Sequence, residues 1–317
     1  MFTISVNIVL ALFATFFTGI VLIPWLRNLS EKKQLVVDIA KGDVLKIHKK
    51  PTSLLGGVGM VGAMVAGFLF LLNGNALYVA AVVVGLSIIT GLGFWDDMKW
   101  KHISTIKPKI KFFWLLVCTF LPAAILAFYG IGFMFIPTMA VSAMLSFIYI
   151  FVVINAVNYQ DGMDGLAAGL VAISLAGFMV LSIITGNYFA FSLCVVVLAA
   201  VISFLVFNFP PAKIFMGDSG SYALGFMLAV IAMQFSKQYH FTAALAPIII
   251  IGLPVIDGVF TNIRRLTNGK SIFLGDRAHF YDRLMQYGFS VKKTLAICYG
   301  LQMLLVVLGV MFYRYYA

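Results

Sequence analysis

The chain has 317 residues; 62% are hydrophobic, only 10% are charged, and the mean hydropathy is +1.05. That composition excludes a soluble globular domain and points to a polytopic helical membrane protein, because apolar runs of about 17 to 25 residues are what a helix needs to cross the hydrocarbon core. The net charge of +11 is no argument for nucleic-acid binding, since the placement of the basic residues has a topological explanation.

In chain order, the hydropathy predicts an all-α fold of about ten spans in one membrane domain covering 1–317. The spans fall near 4–26, 53–73, 76–94, 110–129, 138–157, 165–185, 187–207, 220–236, 242–262 and 292–313. The first, in "MFTISVNIVLALFATFFTGIVLIPWL", is read as a span and not a secretory signal, for it lacks a basic n-region and an A-x-A site. Cys118, Cys194 and Cys298 each sit inside an apolar run. Their odd number argues against a disulfide framework or a metal cluster.

Short hairpins such as "NGN" at 73–75 and "GNY" at 186–188 alternate with long loops at 27–52, 95–109, 158–164, 208–219 and 263–291. The long loops and their flanks carry all the Lys and Arg except Lys237 and Arg314. Positive charge marks the cytoplasmic side, so both termini are expected outside and the long loops in the cytosol. All 11 acidic residues fall on that same side. A transporter would hold some ionisable groups near the midplane. Charges gathered at the inner surface suit a site open to both cytosol and lipid headgroups.

Four segments concentrate the chemistry. In "FWDDMKWK", Asp96 and Asp97 stand where the third span leaves the bilayer. A helix stop needs one charge, and two adjacent carboxylates repel unless a cation or substrate is near. In "NAVNYQDGMDGLAAG", Asp161 and Asp164 are three apart, on one face if helical, with Asn158 one turn earlier. One Asp would suffice to cap the next helix. In "FNFPPAKIFMGDSGSYALG", Asn208 ends one span and Asp218 opens the next. "GDSG" here is not a protease signature, because membrane helices flank it. It reads as a helix N-terminus that receives a phosphate, with Asp218 holding a hard cation such as Mg²⁺. In "RRLTNGKSIFLGDRAHFYDRL", His279 lies between Arg277 and Arg283, residue types suited to phosphate. Arg264 and Arg265 are covered by positive-inside charge. Asp257, in "GLPVIDGVF", has two readings: a site residue, or a structural partner of Arg264 or Arg265. Pro254 is expected to break the helix beside it.

With "HKKPTSLLGG" near the start, these motifs follow one another in the order of a known family. The chain resembles the polyprenyl-phosphate N-acetylhexosamine-1-phosphate transferases, glycosyltransferase family 4. That group contains the initiating transferases of O-antigen and teichoic-acid synthesis and the phospho-N-acetylmuramoyl-pentapeptide transferase. The closer branch is the bacterial UDP-N-acetylglucosamine:undecaprenyl-phosphate one, whose "HLHHRL" stretch here reads "HFYDRL". His279, Arg283 and Leu284 are kept, while Tyr281 and Asp282 depart in a loop the family associates with donor recognition.

The resemblance implies transfer of a sugar 1-phosphate from a UDP-N-acetylhexosamine to a polyprenyl phosphate in the cell membrane, with release of UMP. It also implies Mg²⁺ or Mn²⁺ and a homodimer. Under it, Asp218 is the metal ligand, and Asp96 or Asp97 assists acceptor deprotonation. His279 serves the donor phosphates with Arg277 and Arg283. Asn158, Asp161, Asp164 and Asn208 surround the nucleotide and metal, and Lys109 and Lys111 hold the acceptor phosphate or act as snorkelling anchors. Direct attack of the lipid phosphate and a covalent aspartyl intermediate both fit. The rival classes are a CDP-alcohol phosphatidyltransferase, disfavoured because "DGMDGLAAG" lacks the required Arg, and a transporter or lipid flippase.

Overall fold

The computed structural model describes residues 5–38, 52–73, 75–100, 108–133, 136, 138–236, 241–271 and 277–316. The predicted motif segments 48–51, 101–107 and 272–276 lie outside them. Twelve α-helices are formed among the described residues. They are α1 (Val6–Lys33), α2 (Gly56–Phe68), α3 (Ala76–Trp95), α4 (Pro108–Phe128), α5 (Met139–Tyr159), α6 (Leu166–Thr185), α7 (Tyr188–Asn208), α8 (Gly217–Met233), α9 (Phe241–Ile251), α10 (Leu253–Thr267), α11 (Phe280–Gln286) and α12 (Val291–Tyr316). The sole departure from all-α among these residues is a two-residue antiparallel ladder, β1 (Val37–Asp38) with β2 (Thr52–Ser53).

The core is built around α8. Every residue from Ser219 to Met233 is buried, as expected of a helix that is apolar on all sides. It packs against α2, α3 and α5, and small residues let the backbones meet. A Cβ on Gly57 would lie 2.2 Å from the Gly220 nitrogen, and one on Gly225 would lie 2.5 Å from the Ile154 Cα. Close approach through small residues is how helices associate where lipid offers no hydrophobic driving force.

Seven helices are long and apolar enough to cross a membrane: α1, α3 with its extension to Met98, α4 from Lys109, α5, α6, α7 and α12. Two of the ten predicted spans correspond to shorter apolar helices, Gly56–Leu71 and α8. At 1.5 Å per residue these reach about 24 to 26 Å, short of a core about 30 Å thick.

The span expected at 242–262 is not one helix. The chain bends by 87° between α9 and α10. The break is at Gly252, with φ of +48°, where a side chain would be strained. Pro254 does not cause it; it sits in the first turn of α10, a position that needs no N–H donor. Gln302 of α12 satisfies the groups the break exposes. Its Oε1 accepts from Leu253 N at 3.0 Å, and its Nε2 donates to Ile250 O at 2.7 Å and Ser174 Oγ at 2.9 Å. Irregular backbone survives at such depth only with internal partners of this kind.

Candidate active site

The adjacent carboxylates of Asp96 and Asp97 do different things. α3 ends in a wider π-helical turn, Asp96–Trp100, and neighbouring residues on a helix point about 100° apart. Asp97 is fully buried and turns to the start of α8. Its Oδ1 accepts from Asp218 N at 2.9 Å and its Oδ2 from Ser219 N at 3.0 Å. These N–H groups were expected to receive a phosphate; the Asp97 carboxylate occupies them instead. The fit is close, since a Cβ on Gly217 would lie 2.4 Å from Asp97 Oδ2. Asp97 is thus an N-terminal cap supplied by another helix, with its charge favourably placed at the dipole.

Asp96 turns to α4, where the Lys111 ammonium pairs with it and, at 2.8 Å, with Asp218 Oδ2. Asn158, the next-to-last residue of α5, donates to Asp218 Oδ1 and to Ser221 Oγ, both at 2.9 Å. Lys111 also sits 5.8 Å from the Tyr222 ring centre. Four helices therefore bring Asp96, Lys111, Asn158 and Asp218 to one point.

The segment 160–165 is a turn and not a helix, so Asp161 and Asp164 do not share a helical face. Asp164 Oδ2 accepts from Ala212 N at 2.9 Å. Asn208 accepts from Gly165 N at 3.0 Å and donates to Ile214 O at 2.9 Å. Both staple the α5–α6 turn to the segment before α8. That segment is itself held by Phe215 N on Ser53 O at 2.9 Å and Gly56 N on Phe215 O at 3.0 Å. Of the three, Asp161 lines the larger cavity described below.

His279 is buried and precedes α11. Its Nδ1 lies 2.8 Å from Asp257 Oδ2. The same Asp257 oxygen accepts from Gln160 Nε2 at 2.9 Å, and Asp257 Oδ1 accepts from Phe280 N at 2.8 Å. The imidazole contacts the ring of Tyr159, tilted at 5.2 Å, and that of Tyr281, parallel at 5.8 Å. Asp257 thus partners His279. The two departures in "HFYDRL" have structural work. Tyr281 stacks on His279, and Asp282 accepts from His279 N at 3.3 Å. Burial raises the Asp282 carboxyl above its ordinary range, against the pull of His279 and Arg277.

Between the two clusters lies a cavity of about 710 Å³, within the range of small-molecule sites. Its lining is mixed: Lys111, Asn158, Asp161, Arg265 and His279 are polar, and Phe112, Leu115, Phe151, Val152, Val255 and Val259 are apolar. Asp96 and Asp218 stand behind Lys111 and Asn158. Lys109 is exposed at the start of α4. Arg283 is also exposed and lines a second cavity, of about 490 Å³, on the other flank of α10. Arg277 is half-buried and its carbonyl accepts from Gln286 Nε2 at 2.9 Å. None of these three lines the larger cavity.

Sequence reasoning missed Gln160 and Tyr159 and set Arg265 aside as topological charge. Arg265 is buried, 5.6 Å from the Tyr159 ring centre. A signal was available. Asp257, Gly258, Thr261 and Arg265 fall on one helical face, while Ile256, Val259, Phe260, Ile263 and Leu266 are exposed opposite.

Residues 79–236 match glycosyl transferase family 4. Over 93% of its length the chain is 31% identical to 82% of a probable undecaprenyl-phosphate N-acetylglucosaminyl 1-phosphate transferase of Bacillus subtilis (strain 168). It is 30% identical to a decaprenyl-phosphate N-acetylglucosaminephosphotransferase of Mycobacterium leprae (strain TN), covering 80% of this chain and 71% of that one. It is also 31% identical to a phospho-N-acetylmuramoyl-pentapeptide-transferase of Geobacillus kaustophilus (strain HTA426), covering 96% and 97%.

Proposed function

The chain belongs to glycosyl transferase family 4, and on that premise we propose that it transfers N-acetylglucosamine 1-phosphate from UDP-N-acetylglucosamine to a polyprenyl phosphate, of the undecaprenyl class, releasing UMP. The product is a lipid-linked sugar diphosphate that starts a cell-envelope glycan. The observation that carries this reading is the cavity's lining of both charged and apolar side chains beside the Asp96–Lys111–Asp218 cluster. An amphiphilic phosphate and a polar anionic donor together need both. The names of the relatives above supply the sugar and the lipid class.

The chemistry requires little proton transfer. A phosphate monoester has a second pKa of about 6, so the acceptor is largely dianionic at neutral pH. Its oxygen attacks the sugar-bearing β-phosphorus, a new P–O–P bond forms, and the bond to UMP breaks. The protein's main task is to bring two anions together, and fixed cations at the transferring phosphoryl group do this. Lys111 meets the phosphates from the cavity wall, Arg265 and His279 face them across it, and Asn158 and Asp161 contact the donor. The apolar side chains of the lining take the start of the prenyl chain.

Two carboxylates, the buried Asp96 and the half-buried Asp218, converge on one cationic group, Lys111. Such a hard-oxygen pair fits Mg²⁺ or Mn²⁺. Bound there, the ion would polarise the phosphoryl oxygens and neutralise developing charge. Asp97 takes no chemical part in this reading; it holds the first turn of α8, and with it Asp218, in place. Asp164 and Asn208 act the same way on the loops. Asp97's engagement in two backbone hydrogen bonds favours direct attack over an aspartyl intermediate at that residue.

The whole chain is read as one transferase unit in the cell membrane. Both termini lie outside and the site lies on the cytosolic side, a reading supported by the one-sided placement of 20 of the 22 Lys and Arg residues. The test is to incubate purified protein with undecaprenyl phosphate and a panel of UDP-sugars and to identify the lipid product by mass. A product from UDP-N-acetylglucosamine supports the reading. A product from another UDP-sugar alone overturns the donor assignment, and no product from any overturns the reaction.

A further inference from the structure

His279 lines the cavity and has its Nδ1 nitrogen committed to Asp257. Asp257 is buried and accepts three hydrogen bonds, from His279 Nδ1, Gln160 Nε2 and Phe280 N. A carboxylate with three donors around it is an acceptor only, so the proton between it and the imidazole belongs to His279 Nδ1. The partners come from three places: Gln160 from the end of α5, Asp257 from α10, and His279 with Phe280 from the start of α11. The parallel ring of Tyr281 and the tilted ring of Tyr159 restrain the imidazole, and Asp282 holds its backbone nitrogen.

We propose that Asp257 is the positioning residue of His279: it fixes the ring with Nδ1–H turned inward and Nε2 presented to the transferring phosphates. Gln160 and Phe280 N orient Asp257 in turn. This rests on the transferase reading only for the identity of the phosphates; the pairing stands on geometry. A histidine whose far nitrogen is bound by a carboxylate has a fixed tautomer and orientation. When phosphate meets Nε2, both ring nitrogens face acceptors, and the ring can donate to each.

Substitution of Asp257 by Asn has a defined consequence. The amide oxygen is required by Phe280 N, so the NH₂ group faces Nδ1. Nδ1 must then accept, and the proton moves to Nε2. The full chain has four histidines, so ¹⁵N-histidine labelling in lipid nanodiscs is tractable, with His279→Asn assigning the His279 signals. The wild-type protein without added substrate should show a protonated Nδ1 at His279. Asp257→Asn should move that proton to Nε2.

Transfer should fall on the order of 10- to 100-fold, the range for loss of the partner that orients a metal-bound histidine, mainly in kcat. In a His279→Ala background, Asp257→Asn should cost nothing further, because a residue acting through another has no effect once that other is gone. A wild-type His279 carrying its proton on Nε2 alone overturns the proposal, even if the Asn variant does not fold. So does an undiminished Asp257→Asn cost in the His279→Ala background, which would mark Asp257 as merely structural. If the wild-type protein transfers no sugar phosphate, the functional reading fails while the labelled spectrum still decides the pairing.

Discussion

Replacement of Asp97 by Asn separates a cap from a catalyst. In the structure its two oxygens take the N–H groups of Asp218 and Ser219 at 2.9 and 3.0 Å, fully buried. Asparagine keeps one acceptor and turns its NH₂ toward the other N–H, so one hydrogen bond is lost and two donors face each other. A hydrogen bond to a charged acceptor is worth about 1.5–3 kcal/mol. Loss of negative charge at a helix N-terminus costs about 0.3–1 kcal/mol more. Asp97→Asn should therefore destabilise the protein by about 2–4 kcal/mol. Because Asp218 is the second residue of α8, its contacts with Lys111 and Asn158 should loosen as well. Reversible unfolding in detergent reads the first effect, and donor binding in the same detergent reads the second. A variant of wild-type stability and donor affinity that nevertheless fails to turn over would refute the cap and return Asp97 to a chemical role.

Other outcomes follow from the same geometry. Asp218→Asn should lose most of its Mn²⁺ affinity, measured by titration with paramagnetic detection, because an amide oxygen is a weaker ligand for a hard cation; undiminished affinity would place the metal elsewhere. Gln302→Leu leaves Leu253 N and Ile250 O unpartnered at the α9–α10 break, and should lower stability by about 2–4 kcal/mol in the same unfolding assay. In a cysteine-free background, a cysteine at Asn268 should be shielded from a membrane-impermeant reagent in intact cells and one at Asn187 should react. The reverse pattern would put the site on the wrong side for a cytosolic nucleotide.

Much of this was legible from residue patterns. Long apolar runs gave the all-helical membrane fold, and motif order gave the family. Asp96, Lys111, Asn158, Asp161, Asp218 and His279 all come to or beside one cavity, and each had been marked by a polar residue in an apolar context. What was not legible depends on direction and distance. Nothing in "DD" says that one carboxylate faces a lysine 15 positions on while its neighbour caps a helix more than a hundred positions away. Asp164 and Asn208 carry the right residue types for a ligand, yet their partners are backbone groups in loops that only tertiary structure brings near. A break beside Pro254 is legible, but its place at Gly252 and its 87° angle are not, because hydropathy reports how apolar a segment is and not where it points. The partner of Asp257 is hidden for the same reason: it lies 22 residues on, beyond any helical period.

The central claim is that a sugar phosphate, and not a bare sugar, moves to the lipid. UDP-N-acetylglucosamine labelled with ³²P in the β-position tests it most directly, incubated with purified protein and undecaprenyl phosphate and then partitioned between butanol and water. The label should enter the lipid phase, and unlabelled UMP should be released in equal amount. Label retained in water-soluble UDP while the sugar alone joins the lipid, or label left in intact donor, would contradict it.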